Sequence, residues 1–166
     1  MKGISAVGIF CEDIRREGPG KDTIIGAMSD TIRVPSFPGA LRRLAIYYRI
    51  RLSVDGRFTK PIKVDLDVQN DHVVVDNKSP GPIPHDVIER SIANAKKNGV
   101  PFATIIARTE LAEPVEFPGP TKLVAVLRYG DQKEVCGILN VIERPKDASS
   151  ASPPPSEQSE PAAPAS

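Results

Sequence analysis

The chain has 166 residues, 22 of them Lys or Arg and 21 Asp or Glu, for a formal net charge of +1. That balance gives no global attraction to nucleic acid or to an anionic membrane surface. The absence of Trp and an aromatic share of 5% leave little with which to stack bases. Neither nucleic acid nor membrane is therefore expected as a partner, no cofactor is implied, and no motif names a reaction.

The longest apolar run is "GISAVGIFC", Gly3 to Cys11. It is too short to cross a bilayer, which takes about 20 apolar residues. It follows a Lys, as a signal peptide would, but runs into Glu12-Asp13 with no small-residue cleavage site. An N-terminal strand over 5–12 explains it better, and a cytoplasmic protein is expected. Cys11 and Cys136 show no CxxC spacing and sit in strand-like surroundings, so they read as buried free thiols by default, with a disulfide as the alternative.

The next stretch, "CEDIRREGPGKDTIIG", centres on Gly18-Pro19-Gly20-Lys21 and invites comparison with a phosphate-binding loop. The comparison fails. The pattern G-x-x-x-x-G-K-[ST] must open a helix, whereas here Arg15 stands where the first Gly belongs and Asp22 follows the Lys. The β-branched "DTIIGAM" beyond it is strand-like, so no helix N-terminus aims amides at a ligand. Two strands joined by a Gly-Pro-Gly turn are expected, with Glu12 to Glu17 as a solvated, charged strand end. Thr31 to Val34 would continue the second strand past a bend.

Beyond the irregular "VPSFPG", the period of two is clear. In "LAIYYRIRLSV", Leu44, Ile46, Tyr48, Ile50, Leu52 and Val54 point one way; Arg43, Tyr47, Arg49 and Arg51 point the other. In "PIKVDLDVQ", Ile62, Val64, Leu66 and Val68 alternate with Lys63, Asp65, Asp67 and Gln69. Both are half-buried strands. Asp55-Gly56-Arg57 between them suggests a hairpin that sets Arg49 opposite Asp65 and Tyr47 opposite Asp67. "HVVVD", His72 to Asp76, reads as a short strand. "HDVIERSIANAKKNG" places Ile88, Ile92 and Ala95 on one stripe, acids early, Lys96 and Lys97 late, and Asn98-Gly99 as the stop: one crossover helix. Phe102 to Thr109 is a further strand, and "TKLVAVLRY" and "EVCGILNVIE" form a last hairpin about Gly130-Asp131. "FPGALRRLAI" and "FPGPTKLVAV" echo one another, either as equivalent positions in two sheets or by coincidence.

The expected fold is all-β: a mainly antiparallel two-sheet β-sandwich of about eight strands with one crossover α-helix. It occupies residues 1–145. Residues 146–166, "KDASSASPPPSEQSEPAAPAS", are rich in Pro, Ala and Ser with no large apolar residue, and a disordered tail is expected.

Few side chains stand out as a site. Asp71, Asp76 and Asp131 are the candidates for Ca²⁺ at loop tips, although turn chemistry accounts for Asp71. Asp65 and Asp67 fit structural pairing with the basic strand. Arg43, Tyr47, Arg49 and Arg51 form the candidate interaction face; the Asp residues of the supposed neighbouring strand argue against nucleic acid there. His72 and His85 have no metal or catalytic spacing. Pro153-Pro154-Pro155 suits an aromatic-lined groove, or is an inert tail.

"AVGIFCEDIRREGPGKDTIIGAMSDTIRVPSFPGALRRLAIYYRI" resembles the opening of a family of small, uncharacterised bacterial and phage-associated proteins. The likeness extends to "P-x-D-x-I…A…A-K…G-x-P-F" from Pro84 to Phe102. It implies an uncharacterised domain and transfers no catalytic residue. The leading expectation is a non-enzymatic β-sandwich that contacts another protein, which includes a homo-oligomer. A ligand- or Ca²⁺-binding sandwich is the alternative, and an enzyme using Cys11 or Cys136 the third.

Overall fold

The computed structural model describes residues 2–18, 21–69, 80–111 and 114–145. In chain order these form β1 (Ile4–Cys11), β2 (Asp13–Gly18), β3 (Lys21–Ile25), β4 (Thr31–Val34), β5 (Gly39–Leu41), β6 (Ala45–Ser53) and β7 (Ile62–Gln69). There follow α1 (His85–Lys97), β8 (Phe102–Glu110), β9 (Val115–Phe117), β10 (Thr121–Tyr129) and β11 (Gln132–Glu143). The supposed strand His72 to Asp76 and the tail 146–166 lie outside the described residues.

Two main sheets carry the fold. One is three-stranded, in the order β1-β6-β8; the other is four-stranded, β4-β11-β10-β7. The pairings are antiparallel except β4 on β11, which run parallel. The expected mainly antiparallel β-architecture with a single helix is what the described residues form, with more strands than the period-two segments alone suggested. The extra strands are short: β2-β3 and β5-β9 make two small sheets. Asp13 to Glu17 is thus not the charged end of the first strand but most of a separate strand, β2, whose Ile14 is buried. Thr31 to Val34 does not prolong β3; it crosses to the other main sheet.

The supposed hairpin between β6 and β7 does not form. β6 pairs with β1 and β8, while β7 pairs with β10. The connection 54–61 carries the chain from one sheet to the other. Its Phe58 is buried in the core and meets Tyr129 edge to face, centroids 6.0 Å apart. The physical reason lies in the pattern itself. Each strand has one apolar face, and those faces can lie side by side in one sheet or face to face across a core. Here they face: Ile46, Tyr48, Ile50 and Leu52 join Ile62, Val64 and Leu66 in one buried cluster. Tyr48 Oη donates to the Asp65 carbonyl at 3.1 Å and ties the layers together.

β10 and β11 form the expected final hairpin, with a bulge between Ala125 and Val126 and Gly130 at φ 56° in the turn. α1 ends as expected at Asn98, with Gly99 at φ 66°, and buries Ile88 and Ala95. The two echoing segments enter β6 and β10, interior strands of different sheets, and their short strands β5 and β9 pair with each other.

The sandwich closes where β1 crosses β11. A Cβ built on Gly137 would collide with the Gly8 carbonyl oxygen, and one on Gly8 would lie 2.9 Å from Ala125 Cβ. Gly137→Ala should therefore cost about 1–3 kcal/mol, the usual range for core overpacking. Gly119→Ala, whose Cβ would meet nothing within 4 Å, should stay within about 0.5 kcal/mol. Urea unfolding compares the two; equal midpoints would show that the crossing yields freely.

Candidate functional site

The register of the three-stranded sheet assigns its outward side chains row by row. Ser5, Arg51 and Thr104 share one row; Val7, Arg49 and Ile106 the next; then Ile9, Tyr47 and Arg108; then Cys11, Ala45 and Glu110. Phe102 stands at the end beside Ser53. Strand alternation places these residues on one face, and the opposite residues, Ile46, Tyr48, Ile50 and Leu52 among them, fill the core.

Half of this face is covered. The β2-β3 hairpin lays Ile14 and Ile24 against Cys11, Ala45 and Tyr47 as a small separate core. Asp22 accepts a hydrogen bond from the Arg108 guanidinium; the Asp22 side chain is only 6% exposed. That pairing raises the Arg108 pKa against the opposing effect of burial. The other half is open. Val7 is 57% exposed and Phe102 41%, and the Arg51 guanidinium lies 4.6 Å from the centre of the Phe102 ring.

Of the four residues expected as an interaction face, the structure brings Tyr47, Arg49 and Arg51 onto one surface. Tyr47 is half-buried under the hairpin, so Arg49 and Arg51 are its exposed members. Arg43 precedes β6 and belongs elsewhere: it lies 3.9 Å from Asp13 and lines a charged cleft of about 410 Å³ with Glu12, Arg15 and Arg42. Asp65 and Asp67 do not oppose Arg49 and Tyr47. They sit on the outer face of the other sheet, where Arg128 donates to Asp65 and Asp67, at 2.8 Å each, and Lys133 to Asp67. The sequence signal for the open face was available in "AVGIF" and "TIIA", where successive apolar residues must point to both sides of a strand. Without the register, Val7, Ile106 and Phe102 could not be grouped.

Asp71 and Asp76 lie outside the described residues. Asp131 is at the β10-β11 turn, fully exposed, 3.7 Å from Lys60. Among the described residues no group of three or more His, Cys, Asp or Glu could hold a metal ion. Lys21, next in sequence after Gly18-Pro19-Gly20, begins strand β3 rather than a helix. His85 opens α1, with Nε2 3.2 Å from the Phe58 carbonyl and Nδ1 3.4 Å from Glu89. It borders a cleft of about 430 Å³ lined by Phe58, Ile88, Ile92 and Lys96. No helix among the described residues is long and apolar enough to cross a membrane.

The chain belongs to a family of unknown function, DUF6941, whose model matches residues 6–141. This agrees with the resemblance to an uncharacterised domain family. No curated protein and no solved structure matches the chain significantly.

The two thiols are held as acids that do not ionise near neutrality. Burial pushes Cys11 up to about 11, with Asp13 adding to it, and pushes Cys136 up to about 12. Cys11 Sγ donates to the Ala45 carbonyl at 3.6 Å. A nucleophilic cysteine needs the opposite shift. The ordinary thiol value is 9.0, so above it the unfolded chain releases protons that the folded chain keeps. This contribution to stability is full below pH 9.0 and is lost as pH rises through about 11 and 12. Urea midpoints at pH 8 and pH 10 should fall further for the native chain than for Cys11→Ala/Cys136→Ala. Equal falls would dismiss the thiols as the cause.

Proposed function

We propose that this domain is a non-enzymatic protein-contact module that works through the open half of the outer face of its three-stranded sheet. The observation that carries this reading is the exposure of Val7 and Phe102 on the face that also presents Arg49 and Arg51. Covering apolar area yields about 25 cal/mol per Å². Aromatic residues and Arg are the residue types over-represented at interface centres, where they supply most of the binding energy. Antiparallel pairing to β1 and β8 holds β6 rigid, so little ordering cost is added on binding. The elevated thiol pKa values weigh against the cysteine-enzyme alternative. The small-ligand alternative rests on the cleft beside α1, where Phe58, Ile88 and Ile92 offer apolar lining and Lys96 a charge.

The test is binding by the full chain and by two folded variants. Val7→Asp/Phe102→Ala alters the open face; Ile138→Asp alters an exposed position on the other sheet. Partners selected from a displayed peptide or protein library, or self-association measured by sedimentation, should weaken at least about tenfold (1.4 kcal/mol) with the first variant. They should be unchanged with the second. Equal binding by both variants would remove the face from the mechanism.

A further inference from the structure

The covered half of the face shows what chemistry the face accepts. On β3, Asp22 and Ile24 are two residues apart and therefore point to the same side. Asp22 takes the Arg108 guanidinium, while Ile24 packs on the cluster of Cys11, Ala45 and Tyr47. One strand thus brings an acid and an aliphatic group to the sheet in the pattern acidic-x-apolar. The open rows repeat the receiving half of that arrangement. Val7, Ile106 and Phe102 stand beside Arg49 and Arg51, and among the described residues neither Arg49 nor Arg51 has an ion-pair partner. The charged neighbours at the Phe102 end are Lys2, Asp55 and Arg57, so the region stays basic. Arg49 and Arg51 are separated by one strand repeat, about 6.8 Å. In an extended segment an acid and an aliphatic residue two positions apart span the same distance, so the acid can meet one guanidinium while the aliphatic residue lies on the apolar side chains of the next row.

We propose that the open rows bind an extended segment of another protein carrying acidic and aliphatic residues two positions apart, as Asp22 and Ile24 are. This rests on the protein-contact reading above and names the partner's chemistry. Charge complementarity favours it. A basic segment would meet two guanidinium groups, and a fully apolar one would leave them desolvated and unpaired.

The probe is a fluorescein-labelled peptide, Asp-Thr-Ile-Thr-Asp-Thr-Ile, titrated with the full chain and read by anisotropy. Versions with Asn or Lys in place of Asp, and an oligothymidylate, are titrated in parallel. The acidic peptide should bind more tightly than its Asn and Lys versions, and more weakly as salt is raised. Arg49→Gln and Arg51→Gln should each weaken it about threefold to tenfold, and Val7→Asp should weaken it further. Lys63→Gln, on the other sheet, should leave it unchanged. Equal binding of the Asn peptide, still lost with Val7→Asp, would overturn the acidic partner and leave the protein-contact reading standing. Arg49-dependent binding of the oligothymidylate alone would overturn both. Absence of all peptide binding at millimolar concentration overturns the inference, and library selection then decides the wider reading. Self-association abolished by Val7→Asp would make a second copy the occupant. Tighter peptide binding by Glu157→Gln/Glu160→Gln would make the chain's own C-terminal segment the occupant. Either result overturns the proposal.

Discussion

β1 passes over β11 with backbone against backbone, and two glycines make the approach possible. At Gly137 there is no room for even one carbon in front of the Gly8 carbonyl, and Gly8 in turn sits over Ala125. Interiors pack at crystal-like density, so a crossing this close sets the spacing of everything beside it. It fixes the edge of the three-stranded sheet over the middle of the four-stranded one. The inward residues of β6 and β7 then meet, and the Tyr48 hydroxyl comes within reach of the Asp65 carbonyl. The outward faces of both sheets are consequences of that closure.

Those two outer faces treat charge in opposite ways. On the four-stranded sheet, Arg128 reaches diagonally over the position of Val126 to Asp65 and Asp67, and Lys133 joins at Asp67. Val124 and Val126 beneath are buried, so the long Arg side chain covers apolar surface as well as pairing. An isolated surface pair is worth only about 0–1 kcal/mol; a network that also shields two valines contributes through packing. The three-stranded sheet has a matching device at one end only, where Asp22 and Arg108 lock the hairpin down. Along the rest of the face the guanidinium of Arg51 rests on Phe102 instead of a carboxylate.

The long strands, the last hairpin and the helix were legible in the sequence because each is a local pattern; the short β2, β5 and β9 were not. Period two marks "LAIYYRIRLSV" as a strand wherever it pairs, and Asn98-Gly99 stops a helix whatever it packs on. Partnership between strands is not local. The alternation in β6 and β7 states which side is buried but not whether the two lie edge to edge or face to face. The turn residues Asp55-Gly56-Arg57 favoured the first, and buried Phe58 in the same connection belongs to the second. That one ambiguity moved Asp65 and Asp67 to the wrong sheet and made the Arg49/Arg51 face look neutralised. Arg43 was misplaced for a related reason: it continues the alternation in sequence, but the strand begins only at Ala45.

A single exposed Val or Phe carries no meaning, since apolar atoms make up more than half of an ordinary protein surface. The face of the three-stranded sheet differs because its exposed residues are contiguous by register and because the chain treats half of it as a docking surface already. The β2-β3 hairpin could have projected into solvent; instead it lies down on Cys11, Ala45 and Tyr47 and buries a carboxylate to do so. Taking that carboxylate out of water is favourable only because Arg108 is there to receive it. Arg49 and Arg51 continue the line of receivers past the end of the cover, beside apolar residues of the same kind. A surface whose covered rows are solved by an acid and an aliphatic side chain on one strand presents the same problem in its open rows. The chemistry that solves it within the chain is the chemistry to seek in whatever binds there.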